Sequence, residues 1–99
     1  MKIDRFEDII AWQKANVLSV DIYSLFAESN DFSFNNQIQR AAVSVMNNIA
    51  EGFERKTNNE FKQYLYIAKG SCGEIRSMLY LEKELNKIPE SGFEKLFML

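Results

Sequence analysis

The stretch QIQRAAVSVMNNIAEGFER, residues 37–55, carries two periodic lines at once. Ile38, Ala41, Val45 and Ile49, led by Phe34 just upstream, recur at three- and four-residue steps, which is the apolar stripe of an amphipathic helix. Gln37, Arg40, Ser44, Asn47 and Glu51 fall at i, i+3, i+7, i+10 and i+14, so at about 3.6 residues per turn they form a second, narrow polar stripe. Its residues are mostly short and uncharged, where a solvated face favours Lys and Glu, and that predicts part-buried hydrogen bonding. The plainer reading is the wet side of an ordinary surface helix.

Working outward, RKTNNE places Thr57 three residues before Glu60, a capping box, and Phe61, Leu65, Ala68, Cys72, Ile75 and Leu79 continue as the next apolar line. Upstream, Ala11, Ala15, Leu18, Ile22 and Leu25 repeat with 4-3-4-3 spacing, and Ser33 is the expected N-cap of the central helix. Pro89 ends the third helix, and Ser91 with Glu94 opens another. These signals predict helices over residues 8–28, 34–54, 57–86 and 91–99 in a single domain. The expected fold is all-α, an antiparallel up-and-down four-helix bundle whose fourth helix is cut short.

Gly70 and Gly73 each weaken the third helix by about 1 kcal/mol relative to alanine, a cost tolerated where another backbone must come close. They are expected at a contact between the second and third helices. There AKGSCGE, residues 68–74, would supply partners for a polar network of Arg40, Asn47, Asn48 and Glu51. Beyond the main seams, Tyr64, Ile67, Met78, Leu81 and Leu85 form a second apolar line, and Ile10, Trp12, Val17 and Val20 widen the first helix's apolar arc. Self-association accounts for this excess, and so does a helix that meets two neighbours within one bundle.

Composition narrows the chemistry. Ninety-nine residues, 46% hydrophobic and 26% charged, suit one soluble core. No run approaches the roughly 18 apolar residues of a membrane span, and the start MKIDRFEDII has no apolar signal core, so a cytoplasmic protein is expected. The net charge is −2, and attraction to RNA or DNA would need a local patch. Residues 40–76 hold six basic against four acidic side chains, and Arg55, Lys56, Lys62, Lys69 and Arg76 are the candidate patch.

Histidine is absent, which removes a Glu-x-x-His di-iron site and a ribonuclease built on Arg and His. Cys72 is the single cysteine, stands on an apolar line and has no histidine base. Glu51, Glu54 and Glu74 are expected to pair with Arg40, Arg55 or Lys69 rather than hold Mg²⁺. No catalytic, cofactor-binding or metal-ligating residues are expected.

FEDIIAWQKA, QIQRAAVSVMNNIAEGFER and NEFKQYLYIAKGSCGEI, in this order and spacing, resemble the small four-helix-bundle proteins encoded within intervening sequences of bacterial 23S ribosomal RNA genes. The resemblance covers residues 6–85. It implies an antiparallel four-helix bundle assembled as a homopentamer. Relatives include an accessory protein of diversity-generating retroelements that binds reverse transcriptase and nucleic acid. The acidic balance of this chain departs from that basic relative. The expectation is therefore a non-enzymatic homo-oligomer with RNA or DNA, or a protein, as partner.

Overall fold

A computed structural model describes residues 2–85, 87, 88 and 92. A 3-10 turn, Phe6–Asp8, precedes three α-helices: α1 Ile10–Leu25, α2 Phe32–Phe53 and α3 Asn58–Glu84. Among the described residues there is no strand. The fourth helix expected over residues 91–99 lies, but for Gly92, outside these residues. No helix among them is long and apolar enough to cross a membrane.

The helix ends follow local chemistry. Ile9 is extended between the 3-10 turn and α1, and the Gln13 side chain donates to the Glu7 carbonyl at 2.9 Å, tying the turn to the first helical residues. α2 starts two residues before the sequence expectation because Asp31, not Ser33, is its N-cap. The Asp31 carboxylate accepts from the Phe34 N–H at 3.2 Å and meets the positive end of the helix dipole. Thr57 caps α3, its hydroxyl oxygen accepting from the Glu60 N–H at 3.1 Å while the hydroxyl lies 3.1 Å from the Glu60 carboxylate. Aromatic pairs brace both connections: Phe26 with Phe34 at 5.4 Å, and Phe53 with Phe61 at 6.0 Å between ring centroids.

α2 is the central element. It packs against α1 on one side and α3 on the other, while no Cα of α1 comes within 8 Å of α3. With two neighbours to serve, α2 buries a wide arc that includes Ile38, Ala41, Ala42, Val45 and Ile49, and the two alanines let both neighbours approach closely. Ala15, Ile22 and Phe26 answer from the first helix and its C-terminal turn, and Ala68, Ile75 and Leu79 from α3. Burial across the core is the main favourable term in the fold, at about 25 cal/mol per Å² of apolar surface.

At the contact of α2 with α3, the glycine with no room for a side chain is Gly52. A Cβ added there would lie 2.6 Å from the Tyr64 Cβ and 2.9 Å from the Phe61 Cδ1. Gly70 and Gly73, expected at that contact, are exposed, and a Cβ on either would meet nothing within 4 Å. The correction has a simple cause. The chain reverses at residues 54–57, so the last turn of α2 is pressed against the first turns of α3.

Candidate functional site

The polar stripe of α2 runs along the edge of its contact with α3, and the antiparallel register decides who meets whom. The Gln37 amide donates to the Glu74 carboxylate at 3.1 Å. Two turns further along α2, the Ser71 hydroxyl donates to the Ser44 hydroxyl at 3.0 Å. Asn48 turns back along its own helix, donating to the Ser44 carbonyl at 2.7 Å and to its hydroxyl at 2.9 Å. At the far end Arg55 donates to Glu51 at 2.8 Å and to the Tyr64 phenol oxygen at 2.6 Å, with its guanidinium carbon 5.1 Å from the Tyr64 ring centroid.

Two expected members stand apart. Arg40 and Asn47 are exposed and make no hydrogen bond to α3 among the described residues. The stripe thus splits. Gln37, Ser44, Asn48 and Glu51 face α3 or its edge, while Arg40 and Asn47 turn to solvent, because a straight polar line on α2 is wider than the strip that one neighbour covers.

The basic residues are spread over two places. Arg55 and Lys56 sit in the α2–α3 connection, Arg55 already engaged with Glu51. Lys62, Lys69 and Arg76 follow at seven-residue intervals along one side of α3, spanning about 21 Å of helix. All five are exposed, and the Lys62 ammonium lies 6.0 Å from the Tyr66 ring centroid.

Between α1 and α3 lies an apolar groove of about 390 Å³, floored by Val45 and Ile49 of α2. Cys72 lines it, half-buried, and burial pushes its thiol above the usual range against a smaller opposing effect of Arg76. The thiol is therefore protonated and weakly nucleophilic at neutral pH. Among the described residues no group of three Asp, Glu, Cys or His side chains is placed to hold a metal ion.

Sequence reasoning passed over Glu82. It is 3% exposed at the end of α3, following Ile75 and Leu79 on the buried line, and that spacing was the available signal. Burial raises its carboxyl pKa, Lys87 lowers it, and Asp31 raises it further. Asp31 is itself shared between the α2 N-cap and an ion pair to Lys87 at 3.6 Å. A pKa raised by folding means that the folded state favours the proton, so this group's contribution to stability is present at low pH and lost as pH rises through its folded value. Glu82→Gln is accordingly expected to melt higher than the parent at pH 7, with the advantage fading towards about pH 4, the ordinary carboxylate range. Melting curves at both pH values check this, and an equal or lower melting temperature at pH 7 contradicts it.

Residues 7–99 match the 23S rRNA-intervening sequence protein family. The chain belongs to that family. The match takes in all three helices together with the polar stripe, the groove and the basic line. The family's name refers to an intervening sequence of 23S rRNA and states no activity. No curated protein matches the chain.

Proposed function

We infer that this member of the 23S rRNA-intervening sequence family is a non-enzymatic helical-bundle subunit that acts in the cytoplasm as a homo-oligomer, most simply a pentamer. The observation that carries the reading is apolar surface left on both outer helices. Ile10 is 67% and Val20 58% exposed on α1, and Ile67 is 53% exposed on α3 with Leu85, its C-cap, 52% exposed. Patches on two different elements suit a head-to-tail contact, which closes into a ring without leaving an open edge. In this reading residues 91–99, which begin with the Ser91 and Glu94 capping signal, start the fourth helix of an antiparallel bundle.

Light scattering at micromolar concentration tests it: the expected mass is a multiple of 11.5 kDa, and five-fold for a pentamer. Val20→Glu combined with Ile67→Glu should reduce that mass towards one chain, since each places a charge in a desolvated contact. A parent protein of 11.5 kDa at every concentration overturns the assembly reading.

A nucleic-acid accessory role is the second reading, favoured by the Lys62, Lys69 and Arg76 line with Tyr66 beside Lys62, an arrangement of cations and aromatic rings that suits single strands. RNA binding that weakens steeply with salt, and is lost in Lys62→Glu with Lys69→Glu, selects it. Salt-independent capture of a protein by the same assembly selects the alternative, a structural oligomer with no nucleic-acid contact.

A further inference from the structure

At one end of the molecule the C-terminal ends of α1 and α3 meet the N-terminus of α2. Two helix ends that favour cations thus stand beside one that favours anions, and Asp31 already caps the latter. A pocket of about 420 Å³ opens among them. Leu25 and Phe26 line it from the end of α1, Glu28 and Asp31 from the connection to α2, and Glu82 from the last turn of α3. Asn35, one turn into α2, donates to the Ser29 carbonyl at 3.1 Å and fixes the rim.

This end is rich in acceptors and short of donors. Glu82 is 3% exposed and lines the pocket, yet among the described residues its carboxylate accepts no hydrogen bond and joins no ion pair. The Asn35 Oδ1 is likewise buried without a donor among them. Lys87, which also lines the pocket, pairs instead with Asp31 at 3.6 Å, a long contact between half-exposed side chains. Three carboxylates against one ammonium leave the pocket acidic. A buried carboxylate without a donor bears its full desolvation cost, which a ligand carrying both positive charge and N–H groups would offset.

We propose that this pocket binds a primary ammonium on a short alkyl chain, with Glu82 as the buried counter-ion, Glu28 and Asp31 at the rim, and Leu25 and Phe26 against the carbon chain. An ammonium group has three donors and is satisfied by acceptors taken singly. A metal ion fits less well, since among the described residues no three carboxylates are placed to share one. The site uses none of the side chains invoked for self-association or for nucleic acid, so each reading can fail without the others.

The probe is n-butylammonium chloride. The control is tetramethylammonium chloride, which carries the same charge without an N–H donor, at equal ionic strength and neutral pH. At about five times its half-saturating concentration, butylammonium should raise the melting temperature of the intact protein by about 4–8 °C, and the control should not. Glu82→Gln keeps the shape of the side chain and is expected to fold at least as stably, yet it should lose this shift. Lys87→Ala removes a competing cation and should lower the half-saturating concentration by up to about fivefold. Nα-acetyl-lysine methylamide carries the same ammonium on a peptide backbone. Saturation by this compound as well assigns the pocket to a lysine side chain of another protein, and saturation by butylammonium alone assigns it to a free amine.

Equal shifts with both cations, no saturable shift, or a full shift in Glu82→Gln overturn the proposal. So does a shift that appears only after Lys87→Ala, because the pocket then belongs to the chain's own lysine.

Discussion

Replacing Gly52 with alanine is expected to lower the stability of the folded chain by about 1–3 kcal/mol, although alanine is the better helix former by about 1 kcal/mol. The added Cβ would stand 2.6 Å from the Tyr64 Cβ, an atom fixed to the α3 backbone, so no rotamer change relieves the clash. The first turns of α3 must move off α2, and the Arg55 hydrogen bond to Tyr64 goes with them. Gly70→Ala and Gly73→Ala should have the opposite sign. Both positions are helical and open, so each substitution is expected to stabilise by about 0.5–1 kcal/mol through lower chain entropy in the unfolded state. Thermal melts of the three variants decide the matter. A Gly52→Ala protein as stable as the parent would remove the close approach, and loss of both stability and assembly at Gly70 or Gly73 would place another copy against that face.

Ile38→Ala should cost about 2–5 kcal/mol, the range for emptying a buried aliphatic site. Ile38 is 0% exposed on the helix that both neighbours pack against, so the void opens where the structure has least freedom to collapse. In a domain whose total stability is about 5–15 kcal/mol, that is a large part of the margin. Ile67→Ala is the informative companion. Ile67 is 53% exposed in the single chain, and its truncation should then be worth within about 0.5 kcal/mol. Denaturant melts at several protein concentrations separate the contributions: the Ile38 loss persists at all of them, and an Ile67 loss that depends on concentration reports burial against another copy. An Ile38→Ala variant within about 1 kcal/mol of the parent would show that the α2 core is not packed as described.

The sequence by itself determined the helical class and much of the local chemistry. Periodicity at three- and four-residue steps is a property of one helix, and Ile38, Ala41, Val45, Ile49, Ala68, Ile75 and Leu79 are buried where that period puts them. The Thr57 cap is equally local, since donor and acceptor lie three residues apart. Part of the glycine reading was open to correction from the sequence too. Gly70 lies two residues from Ala68, about 200° around the helix, and therefore away from the buried line. Only the tertiary structure chose Gly52, because the contact depends on how the connection at residues 54–57 folds one helix end against the next. The same holds for the polar stripe: spacing places Gln37, Arg40, Ser44, Asn47 and Glu51 on one line, but which of them finds a partner depends on the register of α3, through pairs such as Gln37 with Glu74 and Ser44 with Ser71. The groove between α1 and α3 is a property of three helices together. A periodic pattern marks which side of a helix avoids water, while the packing of its neighbours decides how much of that side they cover.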